Sequence, residues 1–229
     1  MPLADHLSET LNEDNGDVWE NERTPTPVRR FVVRLHTAGL SIRETVAILD
    51  LLSVDRSHSA VWNWVHTLSE AQSDPLTAEP SRVAVDEKQI TVDGEKKWLY
   101  AAVDTDSKLL LEIDVFSRRG TDPVAALLHR LTEKHDVDET EFLVDAGGYL
   151  TALARQKLSG RFDYRTRNHI EKWIQTVTMR IDRFHSFWGS QSSAKQWLRC
   201  FRHHYNPNDP IKRSTDERQL RRSRTRQCR

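Results

Sequence analysis

At residue 82 the hydrophobic period of this chain changes from that of helices to that of strands, and the change divides the polypeptide in two. Upstream, Phe31, Val32, Leu35 and Ala38 fall at i, i+1, i+4 and i+7, one face of a helix that Gly39 ends. Ser41 followed by Glu44 is the capping-box pattern, and Ile42, Val46, Ile48 and Leu49 continue it as a second short helix. A third helix starts near Ser57 or Ser59 and carries Val61, Trp62, Trp64, Val65 and Leu68. Trp62 and Trp64 are two apart and cannot share a helix face, so at least one belongs to a core. Residues 25–70 therefore read as a small all-α domain, and residues 71–81, with Pro75 and Pro80, as a linker.

Downstream the residues alternate and are rich in β-formers: Val83, Val85, Ile90 and Val92 precede Asp93-Gly94, a two-residue hairpin signal. Trp98–Val103 is the returning strand and Leu109–Phe116 a third, giving an antiparallel meander. Asp122-Pro123 opens a helix buried through Val124, Leu127, Leu128 and Leu131. Glu141–Val144 is a short strand ending in Asp145. Gly147-Gly148 turns the chain into a helix over Tyr149–Leu158, ended by Gly160, with a further short strand near Phe162–Tyr164. A long helix from about Asn168 presents Ile170, Trp173, Ile174, Val177, Ile181 and Phe184, and a last one carries Ala194, Trp197, Leu198 and Phe201. The order β-β-β-α-β-α-α over residues 82–206 predicts a ribonuclease-H-like α/β domain, a mixed sheet flanked by helices.

That fold brings three carboxylates toward one another: Asp86 on the first strand, Asp145 at the end of the fourth, and Glu171 at the start of the long helix. Two unit charges about 4 Å apart repel by about 4 kcal/mol at an effective dielectric of about 20, so such a group calls for a counter-charge. Oxygen ligands suit Mg²⁺ or Mn²⁺, and a pair of ions there would serve phosphodiester chemistry. The chain has 34 acids, however, and Glu87, Asp104, Asp106 and Asp114 compete for the same role as against solvated surface acids. The three short helices suit a helix-turn-helix domain whose third helix enters the DNA major groove, with Arg56, Ser57, His58, Ser59 and Asn63 near its exposed N-terminal half; a plain helical module shares the pattern. Lys172, Arg180 and Arg183 lie along the long helix, where they reach DNA phosphates or simply form a solvated face. Gln175, one turn beyond Glu171, is placed to orient DNA or a bound water. His203 and His204 are adjacent, so their side chains diverge, and they read as structural histidines rather than metal ligands.

Charge is balanced overall, 34 basic against 34 acidic residues, but not along the chain. Residues 1–24 hold seven acids against Arg23, and residues 212–229 hold eight Lys or Arg against Asp216 and Glu217. Both ends lack apolar periodicity and are expected to be disordered, the second basic enough to follow phosphates. Two cysteines, Cys200 and Cys228, exclude a disulfide framework and a four-cysteine zinc site. No apolar run approaches the roughly 18 residues of a membrane helix, and the acidic start does not read as a signal peptide, so the expected location is cytoplasmic, at the nucleoid.

Three segments carry a resemblance: VAVDEKQITVDGEKKWLYAAVDTDSKLLLEIDVF (83–116), FLVDAGGY (142–149) and RNHIEKWIQTVTMRIDRFHSFW (167–188). They resemble the IS-six family of insertion-sequence transposases, with the nearest likeness to copies from halophilic archaea, over roughly residues 28–206. The resemblance implies a D-D-E transposase with Asp86, Asp145 and Glu171 as catalytic metal ligands, a helix-turn-helix, and Mg²⁺ or Mn²⁺ as cofactor. It also implies binding of terminal inverted repeats and target duplex, 3′-end cleavage, strand transfer and a replicative outcome. Handling two element ends implies a homodimer or larger assembly. Two features depart from the family. The interval of 26 residues between Asp145 and Glu171 is short, and the sequence after Asn206 is unlike the family's end, which leaves a catalytically inactive DNA-binding remnant as the alternative.

Overall fold

The structure is a computed structural model; it describes residues 18–19, 23–71, 77–163, 167–182 and 188–206, without the side chains of 167–169. Arg183, Phe184, Tyr164, Cys228, most of the acidic leader and the basic tail lie outside the described residues. Three helices come first: α1 (Thr26–Thr37), α2 (Ile42–Leu51) and α3 (His58–Ala71). The Ser41–Glu44 capping box forms reciprocally at the start of α2, with Ser41 N donating to Glu44 Oε2 at 2.7 Å and Glu44 N to Ser41 Oγ at 3.2 Å. Val32, Val33, Leu49, Val61, Trp64 and Leu68 fill the space between the three helices. Trp64 is buried and Trp62 is 45% exposed, which settles the choice between them.

Leader residue Trp19 is not solvated. It is 4% exposed, donates from Nε1 to the Trp64 carbonyl at 3.2 Å and lies under the Arg29 guanidinium, whose Nη1 donates to the Trp19 carbonyl. Its acidic neighbours mask it in the sequence, but a buried aromatic side chain removes about 150–250 Å² from water.

β1 (Arg82–Val92), β2 (Glu95–Asp104) and β3 (Leu110–Phe116) form the meander, followed by α4 (Thr121–Lys134), β4 (Glu141–Val144), α5 (Gly147–Arg155), β5 (Ser159–Phe162), α6 (Arg167–Ile181) and α7 (Gln191–Tyr205). Asp93 and Gly94 both take positive φ, 51° and 72°, so the β1–β2 loop is the two-residue turn that an Asp-Gly pair favours, with Val92 opposite Glu95. Gly160 does not end a helix: it sits in β5, where an added Cβ would run into Leu153 and come within 3.1 Å of the Phe142 carbonyl. The sheet order is β3-β2-β1-β4-β5, with β1–β2 and β2–β3 antiparallel and β1–β4 and β4–β5 parallel. Helices α6 and α7 cover one face, against Ala84, Ile90 and Leu143; α4 and α5 cover the other, against Val83, Val85 and Phe142. This is a ribonuclease-H-like mixed sheet flanked by helices, preceded by a small helical module.

The last helix serves both parts. Ala194, Trp197, Leu198 and Phe201 of α7 belong to the sheet's core, while Cys200, one residue before Phe201, is buried among the residues of the helical module. Trp197 Nε1 donates to the His36 carbonyl at 3.3 Å across the same seam. No helix among the described residues is long and apolar enough to cross a membrane.

Candidate acidic site at the ends of the parallel strands

Parallel pairing of β1 and β4 runs through Arg82↔Glu141, Val83↔Phe142 and Ala84↔Leu143, then stops. Asp86 is two residues beyond Ala84, and Asp145 two residues beyond Leu143. Because side chains alternate along a strand, both acids fall on the face that carries Ala84 and Leu143, the face covered by α6. Divergence of the two strands leaves a narrow gap there, lined by Asp86, Asp145 and Ile170 of α6. Ile170 is buried, so Glu171, about 100° further round α6, emerges toward solvent. It lines an open cleft of about 460 Å³ together with Asp86, Glu87, Lys88, Gln175 and Asp182.

Carboxylate oxygens of Asp86, Glu87 and Asp145 all lie within 4.8 Å of one another, a spacing that suits a shared cation. Glu171 stands outside that close group, across the cleft from Asp86. Asp86 is further oriented by its Oδ1, which accepts the Glu87 backbone N–H at 2.8 Å. Glu87 is the member that residue patterning does not single out: it follows Asp86 directly on β1, and strand alternation alone would send it to the opposite face. Its side chain is only 4% exposed and pairs with the Arg119 guanidinium from the β3–α4 loop. Burial pushes the Glu87 carboxyl above its usual range; Arg119 opposes the rise, and the nearby Asp86 and Asp145 add to it. Its Oε2 is buried without a hydrogen-bond partner among the described residues. An all-oxygen donor set with such an oxygen fits a hard divalent cation such as Mg²⁺ or Mn²⁺.

The remaining residues of interest separate by environment. Ser57, His58, Ser59 and Asn63 are exposed at the start of α3, and Ser57 Oγ accepts the Ala60 N–H. His58, Ser59 and Asn63 border a wide cleft of about 820 Å³ whose far side is formed by Trp188, Ser193 and Gln196. Arg56 is half-buried and bonded to Thr24 Oγ1 and the Asp55 carbonyl. Lys172 is exposed on α6. Arg180 lies over the Phe201 ring, 5.0 Å from its centroid, and donates to the Thr37 carbonyl at 3.3 Å, which commits it to the seam with the helical module. His204 is half-buried with its Nε2 shut off from water, and its pKa is brought down to about 3, chiefly by desolvation and then by the electrostatic effect of His203, Arg34 and Arg180, as for a structural histidine.

No family model matches the chain. An uncharacterized protein of Methanocaldococcus jannaschii is 23% identical over 195 residues, which cover 82% of this chain and 90% of that protein. Among solved structures, the HTLV-2 integrase catalytic core domain in complex with magnesium is similar with a TM-score of 0.39 at 9% identity, over 53% of this chain and 83% of that one. The BIV integrase catalytic core domain is similar with a TM-score of 0.35 at 12% identity, over 56% of this chain and all of that one, 100%.

Proposed function

We propose that this protein is a DNA transposase of the D-D-E type, of the insertion-sequence kind that its motifs resemble, cleaving element ends and joining them to target DNA. The observation that carries the reading is the meeting of Asp86 and Asp145 where β1 and β4 part, with Glu171 lining the adjoining cleft that Asp86 borders as well. Asp86 and Asp145 would hold Mg²⁺ or Mn²⁺, two ions in the complete site, with Glu171 completing the ligand set from α6. Bound there, the ions supply an activated hydroxyl and stabilise the leaving oxygen of phosphodiester transfer. The chain's own part is to position: the strands fix the two aspartates, and α6, anchored by Ile170 and Trp173, carries Glu171 on a rigid element. The open cleft leaves room for a DNA strand to approach. The exposed face at the start of α3 (Ser57, His58, Ser59, Asn63) acts as the reading surface of a helix-turn-helix on the terminal repeats, and Lys172 contacts phosphate beside the cleft. Two element ends call for a homodimer or larger complex on DNA.

The test is strand transfer by the purified full-length protein on pre-cleaved end DNA with Mg²⁺ or Mn²⁺. Glu171→Gln should keep end binding and lose cleavage by about a thousandfold or more. Unchanged cleavage by that variant removes Glu171 from the mechanism. Retained end binding without any cleavage by the wild type supports the inactive DNA-binding alternative instead.

A further inference from the structure

We infer that Arg119 is a positioning residue of the acidic site, balancing its charge while no cation is bound and turning to a DNA backbone phosphate once cations are; this rests on the proposed metal-dependent chemistry. Oxygens of three carboxylates lie within 4.8 Å of one another, and Arg119 is paired with one of them, Glu87, whose side chain is 4% exposed. Lys88, the basic residue of the neighbouring cleft, is exposed.

The guanidinium is held for this role. Its carbon sits 5.2 Å from the Trp98 ring centroid, and the chain turns immediately after it at Gly120, whose φ of 136° favours glycine and whose N–H is fixed by the Tyr100 hydroxyl at 3.1 Å. Yet the Arg119 side chain remains 55% exposed while it holds Glu87, so solvent reaches it beside the cluster. A guanidinium offers five donors in a planar fork, enough to keep one carboxylate and grip a phosphate, or to exchange one for the other. Divalent cations at Asp86 and Asp145 would add positive charge beside Arg119, weaken its pull toward Glu87 and favour an anionic ligand on its exposed guanidinium. The site then gains affinity for the DNA backbone when it is loaded with metal.

The signs of the two effects separate this role from that of a simple brace. In the full-length protein without DNA, Arg119→Ala should bind Mn²⁺ at least about threefold more tightly, because a repelling positive charge is gone. In Ca²⁺, without cleavage, the same variant should bind end duplex about threefold to tenfold more weakly, and its salt dependence should fall by about one phosphate contact. Arg119→Lys, which keeps the charge and loses the fork, should bind Mn²⁺ as the wild type does and DNA less well. Glu87→Gln should weaken Mn²⁺ binding. Loss of both affinities together in Arg119→Ala, or unchanged Mn²⁺ and DNA binding in it, overturns the inference. If that variant does not fold, weaker Mn²⁺ binding or unchanged DNA binding by Arg119→Lys overturns it equally. A wild type that binds Mn²⁺ and DNA but never cleaves overturns the transposase reading and leaves the Arg119 role standing.

Discussion

At the scale of single residues, an acid's function follows from the company its carboxylate keeps. Asp104 accepts the Asp106 N–H at 2.9 Å and the Ser107 hydroxyl, capping the β2–β3 turn. Asp106 is bound by Ser81 and by Arg82 at 3.0 Å, and Asp114 by Arg130 and Lys195. Asp86, Glu87 and Asp145 in turn bring their carboxylate oxygens within 4.8 Å of one another, and Arg119 pairs with Glu87. Histidines make the opposite case, of charge kept out. His204 stays neutral in the fold because its pKa is about 3, and burial lowers those of His36 and His135 as well. The unfolded chain takes up protons near pH 6.5 that the folded chain refuses. This contribution is therefore complete above about pH 6.5 and is lost as pH falls below it, by at most about 1.4 kcal/mol per pH unit for each histidine. Melting temperature should drop from pH 7.5 to pH 5, and His204→Phe should flatten that slope. An unaltered slope in the variant would show that His204 does not drive it.

At the scale of elements, the face a residue occupies sets the cost of its loss. Trp64 and Trp62 are the same residue type on one helix, α3, one buried at 1% exposure and the other at 45%. Trp64→Ala should cost about 3–5 kcal/mol in urea unfolding, while Trp62→Ala should cost under about 1 kcal/mol. Equal losses would mean that the exposed indole is packed in solution. The edge strand β3 shows a second principle of elements, the covering of unpaired backbone groups. Leu110 exchanges hydrogen bonds with the Asn206 side chain, Gln191 Nε2 donates to the Val115 carbonyl at 2.7 Å, and Glu112 draws in Lys134 and Arg202. An edge dressed in this way offers little to an added strand.

At the scale of the whole molecule, α7 joins the two parts. It sends Phe201 to one core and Cys200 to the other, and Arg180 of α6 reaches across the same seam to Thr37. Burial raises the Cys200 thiol to about 12, so it is neither accessible nor ionised in the closed molecule. Site-resolved labelling by a thiol reagent at pH 8 should spare Cys200 in the native protein and modify it after denaturation. Native labelling of Cys200 as fast as denatured labelling would show that the seam opens freely. A helical module held in this way carries its exposed α3 face in a set position relative to the acidic cleft.

Most strands and helices were legible because they depend on local regularities: the period at Val83–Val92, the Asp-Gly turn, the Ser41–Glu44 box and the stripe from Ile170 to Val177. The strand β5 (Ser159–Phe162) was not, since it runs through Gly160, where the residues read as a helix end, and starts before the expected Phe162. Asp86, Asp145 and Glu171 were legible as candidates because strand ends and helix starts are local too. Which acids actually meet was not. That depends on Ala84 lying opposite Leu143, a register between strands nearly sixty residues apart that no local pattern records. Glu87 and Arg119, Trp19 beneath Arg29, and Arg180 over Phe201 belong to this second kind. Periodicity reports which side of its own element a residue occupies; only the packed chain decides what waits on that side, because burial and charge pairing are properties of distance in space.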